Sequence, residues 1–407
     1  MKTWLCSLLA MLSFVLSEAW AHAMDVSYNL YGDARLVVPP GDTSYLDGGL
    51  GKLHFGADDG SPSVHFVEAI ADGRVQITPE LLAVATARFD PKYGPAFDLL
   101  DASVRYRPAS TTEWLWSVKA GAFFPPISLE NEEIGWTSFW TLTPSAINSW
   151  LGDEIRVIGA EGTLQWRRNS GTVTLIGAIF AWNENAGELI SQRGWSLDDR
   201  VTGLYEKVRE PDASVILSGG TPPERTHLFK QFDSNPGWYL DLSWEPEDIG
   251  GFEVMRYDNN ADPSATRGDD VAWHTSFWDL GFRTQIGKLT LLSQALDGAT
   301  MIQPSPASRL DTNFRSAYAL LGLDLDSWWL AARVEWFQTR THIAGPALPL
   351  SEDGHAGTLS VSWQPKKWLR LTSEVLLVDS TRRERLPEGE AARQIETQFQ
   401  FALRVYD

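Results

Sequence analysis

The chain has 407 residues and a formal net charge of -19, from 34 Lys and Arg against 53 Asp and Glu. Phosphate backbones bind basic surfaces, so this balance argues against a nucleic-acid partner. The single cysteine, Cys6, lies close to the N-terminus. A disulfide-stapled scaffold is therefore excluded for the rest of the chain, which must be held together by burial or by a closed hydrogen-bonded sheet.

Residues 1–23 have the pattern of a cleaved secretory signal peptide. Lys2 supplies a positive start, residues 5–16 are apolar, and Ala21-His22-Ala23 forms a small-x-small cleavage site. The apolar run is shorter than the roughly 20 residues that a membrane-spanning helix needs. We therefore predict an exported protein whose one domain covers residues 24–407.

The remaining sequence repeats one pattern, in which stretches of alternating apolar and polar residues are separated by turns. In the last stretch, Phe399 and Leu403 share one face while Glu396 and Gln400 share the other. Such alternation is typical of strands with one apolar and one polar face. The predicted strands, in chain order, are 25–37, 63–77, 81–90, 97–107, 113–124, 153–167, 171–182, 237–246, 250–258, 273–286, 288–297, 313–325, 328–341, 355–364, 368–379 and 394–406.

The connections between these strands support a membrane barrel. Short turns alternate with mostly longer segments at 125–152, 183–236, 259–272, 298–312, 342–354 and 380–393. Outer-membrane barrels have short periplasmic turns and long external loops. We therefore predict an all-β, transmembrane, antiparallel β-barrel of about 16 strands, with about 14 to 18 as the compatible range. Residues 49–55 could form a further strand and are assigned to the first external loop, because an odd strand would break the parity.

The mean hydropathy of -0.20 fits a barrel, since half of each strand would face water. The 19 Trp, 10 Tyr and 18 Phe fit aromatic girdles at the two membrane interfaces. Stacking platforms for sugars are the rival use of so many aromatic residues.

The polar faces of the strands should line a water-filled lumen, and their acidic and basic residues nearly balance. A transverse field between facing rows of opposite charge can orient solutes in a pore; simple wall salt bridges are the alternative for any single pair. The predicted pore-lining residues are Arg35, Arg88, Arg105, Lys119, Glu161, Arg283, Arg333, Glu335, Arg370, Glu374 and Arg404.

Two long loops are candidates for an inward constriction, because loops of this length are usually functional or disordered. The loop at 125–152 contributes Trp136, Trp140 and Trp150 as candidate residues. The loop at 183–236 contributes Arg193, Asp198, Asp199 and Arg200.

One part of the chain resembles a known family. The stretch from Gly121 to Asn131, GAFFPPISLEN, and the stretch from Pro144 to Glu154, PSAINSWLGDE, are similar to segments of the phosphate- and polyphosphate-selective porin family and a porin-like branch of Gram-negative bacteria. The match covers about residues 119–195. It implies an outer-membrane barrel, often trimeric. Family members guide anions with basic clusters, and this acidic chain has only dispersed Arg and Lys, so phosphate selectivity is not carried over.

The predicted function is an outer-membrane porin for passive diffusion of small hydrophilic solutes or ions, with lipid, lipopolysaccharide and solutes as partners and a homotrimer as a candidate assembly. No cofactor, metal site or enzyme activity is expected, since nucleophile, P-loop and dinucleotide motifs are missing from the sequence. A plugged or loop-dominated barrel for binding or adhesion is the alternative. A solute-specific sugar or anion channel is another, and Trp136, Phe139, Trp140 and Trp195 in the lumen would favour sugars.

Overall fold

The computed structural model describes residues 24–56, 60–209, 225–268, 270–343 and 351–407. These residues form a closed antiparallel barrel of sixteen strands. The strands are β1 (Asp25–Val38), β2 (Ser63–Thr78), β3 (Leu81–Phe89), β4 (Phe97–Tyr106), β5 (Trp114–Phe123), β6 (Val157–Arg168), β7 (Gly171–Ala181), β8 (Gly237–Pro246), β9 (Gly251–Asp258), β10 (His274–Ile286), β11 (Leu289–Ser305), β12 (Ser308–Asp324), β13 (Trp328–Ile343), β14 (Ser351–Lys366), β15 (Leu369–Arg382) and β16 (Arg393–Tyr406).

Each strand pairs with its neighbours in sequence, and β1 pairs with β16 to close the sheet, from Tyr31 opposite Tyr406 to Val38 opposite Phe399. Closure leaves no row of unpaired backbone groups, which is what a sheet surrounded by lipid requires. The predicted fold class and strand number are confirmed. No helix in the described ranges is long and apolar enough to span a membrane.

The strand boundaries differ most from the prediction in two places. The expected long loop at 298–312 is a hairpin, because β11 continues to Ser305 and β12 begins at Ser308. From Asp297 onward the outward positions are mixed, since the Arg315–Asp297 ion pair lies beside Ala299 and Met301, so the apolar alternation fades while strand pairing continues. The expected strand at 153–167 begins only at Val157, because residues up to Glu154 belong to a helix.

The outer face is apolar and carries aromatic residues near the short turns. Trp114 stacks on Trp166 with ring centres 5.8 Å apart, and Trp328 stacks on Trp363 at 5.4 Å. All four lie close to strand ends at the side of the barrel that has the short turns, which we call the short-turn end. This arrangement matches an interfacial aromatic girdle.

Three connections fold into the barrel, and we call them together the plug: residues 39–56, 124–156 and 182–209. The plug contains helix α1 (Ala146–Glu154) and the shorter helix α2 (Glu188–Arg193). Residues 49–55 form no strand of the barrel, as the sequence indicated, but they lie in the plug and not in an external loop. The main apolar core of the described protein therefore lies inside the barrel, between the plug and the wall.

Candidate functional site: the lumen

Helix α1 crosses the lumen and is buried along its whole length. Ser145 caps its N-terminus, and the Ser145 side chain accepts a hydrogen bond from the Asn148 backbone N–H. Such a cap satisfies one of the otherwise unpaired N–H groups of the first turn. Every residue from 141 to 157 is buried. A helix with no exposed face must pack on all sides, so α1 acts as a core element and not as a rim of open pore.

One side of the plug packs on aromatic residues of the wall, which we call the aromatic seat: Phe180, Tyr257, Phe277 and Phe314. Their rings form a series, with Phe180 to Tyr257 at 5.2 Å and Tyr257 to Phe277 at 4.8 Å. The Trp150 ring of α1 lies 5.5 Å from Phe277 and 4.9 Å from Phe314. Buried aromatic rings each remove a large apolar area from water, so this side is a dry interface.

Charged wall residues hold the backbone of the plug on strands β13 and β15. Arg333 donates to Glu130 at 2.5 Å, to Glu335 at 2.9 Å and to the carbonyl oxygen of Thr143 at 2.8 Å. Glu374 accepts from the backbone N–H groups of Leu142 and Thr143, at 2.6 and 3.0 Å. Hydrogen bonds to charged groups are stronger than those between neutral groups, so these contacts fix the plug in one position.

A third contact, which we call the polar seam, joins residues 198–206 of the plug to strands β1 and β3. Arg35 binds Asp199 at 2.5 Å and Asp33 at 2.8 Å. Arg88 binds Glu206 at 2.9 Å. Burial alone would raise the pKa of Asp199, but the Arg35 guanidinium and the hydrogen-bonded His54 outweigh it and hold that pKa well below its usual range.

All sixteen described strands carry at least one buried inward-facing residue, so the wall is covered on every side. In strand order these residues are Arg35, Ile70, Arg88, Leu100, Phe123, Val157, Phe180, Tyr239, Tyr257, Phe277, Leu296, Phe314, Phe337, Thr358, Glu374 and Gln400. The plug thus fills the middle of the barrel in the described conformation.

At the short-turn end the lumen opens into a cavity of about 600 Å³, which we call the vestibule. Glu245, Asp248 and Arg283 line it from the wall, and Phe139 and Trp140 line it from the plug.

The predicted pore-lining residues fall into two groups. Arg35, Arg88, Arg333, Glu335, Arg370, Glu374 and Arg404 point inward but are buried against the plug or its neighbours. Arg105, Lys119, Glu161 and Arg283 lie nearer the short-turn end, where Lys119 pairs with Glu161 at 2.9 Å. Their part in permeation remains a prediction.

The predicted constriction residues all lie within the plug. Trp150, Arg193, Asp198, Asp199 and Arg200 are buried there. Trp136 stacks on Phe124, with ring centres 4.2 Å apart, whereas Trp140 faces the vestibule. Within the described residues no group of three or more His, Cys, Asp or Glu is arranged to hold a metal ion.

The sequence analysis did not anticipate the part played by residues 39–56. Lys52 forms a buried ion pair with Glu352, and its backbone N–H donates to Glu396 at 2.8 Å. The apolar residues Leu50, Leu53 and Phe55 were the signal for this inward fold, since a solvated loop has no need of them.

No protein-family profile matches the chain, and no curated protein matches it. Solved outer-membrane proteins do match it in structure. OmpT of Vibrio cholerae matches as a loop-deletion mutant, with a TM-score of 0.54 and 11% identity over 95% of this chain and 100% of that one. A trimer form of OmpT gives a TM-score of 0.51 with the same identity and coverage.

Two further solved structures are similar. The outer membrane channel DcaP of Acinetobacter baumannii has a TM-score of 0.54 and 10% identity, over 95% of this chain and 98% of that one. An anion-selective porin from Comamonas acidovorans has a TM-score of 0.50 and 10% identity, over 95% of this chain and 100% of that one. The chain therefore has the fold of the outer-membrane porin barrels.

Proposed function

We propose that this protein is an outer-membrane channel through which small hydrophilic solutes or ions diffuse passively, and that its own plug restricts the passage at rest. The observation that carries the proposal is the polar seam. There charged side chains join plug and wall, including Arg35 with Asp199 and Arg88 with Glu206, beside one small apolar contact of Val201. The porin-type barrel supports the same class of function.

The seam differs from the aromatic seat in what it costs to admit water. Separating Trp150 from Phe277 and Phe314 would expose apolar surface, which is unfavourable. Buried ion pairs gain little net energy, because desolvation of both charges offsets their attraction. Water entering between Arg35 and Asp199 would restore that solvation, so the passage opens along β1 and β3.

Single-channel recording in planar bilayers tests this proposal. We expect small, brief conductance steps from the native protein, and larger or longer openings from Asp199→Asn, because the variant removes the partner of Arg35 on the plug and leaves only Asp33 of the wall. Asp353→Asn is the matched control. Asp353 pairs with Arg340 at 2.8 Å, but both side chains are about half exposed, at 52% and 41%. Folded protein that stays silent in both the native and the Asp199→Asn forms would contradict the channel.

A plugged barrel for binding or adhesion is the second candidate. It is favoured by the complete burial of residues 141–157 and by the aromatic seat, which together resemble a protein interior. Silent bilayers with correctly folded protein would support it.

The same proposal includes the assembly and the location. The outer face of β1 to β3 includes a patch of small residues, among them Gly32, Ala71 and Ala87, and this patch lines a shallow groove of about 710 Å³. Small residues let sheets approach closely, so this face suits contact with a second and third copy in the outer membrane. Solute selectivity for sugars or anions has less support, because Trp195 is buried and Trp136 stacks within the plug.

A further inference from the structure

The vestibule has a strong excess of negative charge. Six of its lining residues are acidic and one, Arg283, is basic. The acidic residues are Glu130, Glu132, Glu133, Glu245, Glu247 and Asp248. This excess contrasts with the balanced charge of the polar seam.

The basic side chains near the vestibule already form ion pairs with acidic residues. Arg283 pairs with both Glu132, at 3.0 Å, and Glu245. Glu130 forms an ion pair with Arg333, at 2.5 Å. Among the described residues, Glu133, Glu247 and Asp248 have no basic side chain within ion-pair distance.

Buried carboxylates continue this acidic surface into the wall. A side cavity of about 190 Å³ shares Glu132, Glu245 and Arg283 with the vestibule and is lined by Glu253 and Ser243 as well. The Oε1 atom of Glu253 is buried and has no hydrogen-bond partner among the described residues. Asp241 is the next inward residue beyond Ser243 on β8. It is only 2% exposed, and its Oδ2 atom also has no partner there.

Unpaired buried carboxylate oxygens are costly, and a ligand that donates hydrogen bonds and carries positive charge would relieve that cost. The adjoining surface is apolar, because Leu129, Phe139 and Trp140 line the vestibule from the plug. Aromatic and aliphatic surface beside carboxylates suits the alkyl chain and the ammonium group of one ligand.

We propose that the vestibule and its side cavity bind organic cations of the alkylammonium class, with one ammonium group held by Glu253 where this residue lines the side cavity. This rests on the proposed channel function in so far as it makes organic cations the preferred solutes. The binding site itself is tested without any measurement of conductance.

The test is titration calorimetry on the folded, detergent-solubilised full chain. The probe is 1,5-diaminopentane, with 1,5-pentanediol and glutarate as neutral and anionic compounds of equal chain length. We expect the diamine to bind and the diol and diacid to give no heat, and we expect diamine affinity to fall as salt rises.

Glu253→Gln should weaken diamine binding about tenfold, the loss that corresponds to one charge-assisted hydrogen bond. Glu133→Gln, at an exposed position of the plug, gives a second variant that does not disturb the buried wall. Glu388→Gln, in the last connection at the other end of the barrel, is the matched control and should bind like the native chain.

Equal heats from the diamine and the diol, or native affinity in both Glu253→Gln and Glu133→Gln, would overturn the site. The two proposals fail separately. Diamine binding by a protein that is silent in bilayers keeps the site and removes the channel, whereas conductance without diamine binding keeps the channel and removes the site.

Discussion

Arg333→Met should release the plug from β13 and β14 without unfolding the barrel. The Arg333 side chain is fully buried, and it donates to Glu130, Glu335, Thr358 and the carbonyl oxygens of residues 143 and 144. Methionine fills a similar volume but leaves two buried carboxylates unpaired. Breaking a buried ion pair in this way costs about 3–5 kcal/mol, which corresponds to a factor of about 10² to 4 × 10³ in the docking equilibrium of the plug.

Hydrogen exchange measures this equilibrium at the backbone N–H groups of Leu142 and Ala146, which donate to Glu374 and Glu335. Their protection should fall by about a hundredfold, the lower end of that range. Heat-modifiable gel migration should stay native, because the strand ladder is intact.

The matched control is Arg315→Met. Arg315 pairs with Asp297 at 2.6 Å on the outer face, where both side chains are more than half exposed, at 57% and 63%. Such a pair contributes about 0–1 kcal/mol, so protection should not change. A double variant, Arg333→Met with Glu130→Gln, should recover part of the loss, since one orphaned charge is removed. Native protection at residues 142–146 in Arg333→Met would refute this account of the plug.

Three further outcomes are expected. Burial raises the pKa of Glu154 from its ordinary 4.5 to about 8, so between these pH values the docked plug holds a proton that the undocked plug has lost, and docking weakens as pH rises through about 8. Conductance should therefore be higher at pH 9 than at pH 6, and Glu154→Gln should remove the difference. Gly187→Ala should increase protease cleavage of the plug, because Gly187 has a φ of 95° and a Cβ there would meet the hydroxyl of Thr300; unchanged cleavage would count against the tight seat of α2. Chemical cross-linking should give trimers from the native protein and monomers from the double variant Ala71→Arg with Ala85→Arg. A cross-linked trimer from the double variant would exclude this face as the contact.

The barrel could be predicted from the sequence because its signal is periodic. Alternation places Phe399 and Leu403 outside and Gln400 inside, and the structure shows that arrangement. A one-residue error would move every side chain of a strand to the other face, so the pattern is strongly specified. The ends of the strands were harder to predict, as at Ser305, because outward residues beyond the lipid-facing part of the barrel need not be apolar.

The plug could be predicted only in part. Trp150 and Asp199 were recognised as candidates for an inward loop, but their partners lie far away in sequence and have no local signal. Asp199 meets Arg35, and Trp150 meets Phe277 and Phe314. Inward aromatic residues such as Phe277 break the polar face that an open lumen would need, and this was the available sign that the lumen is filled.

The plug is encoded in the first half of the chain, whereas much of the surface that receives it comes from the second half. Arg333 lies 203 residues from Glu130, and Glu396 lies 344 residues from Lys52. Contacts with such separations can form only after long stretches of chain have been brought together. Until β10 and β12 are in place, Trp150 lacks Phe277 and Phe314, the wall rings that cover it. Barrel closure and docking of the plug are therefore coupled during membrane insertion. A chain that ends after β8 would expose the apolar surface of α1 and would be prone to aggregate.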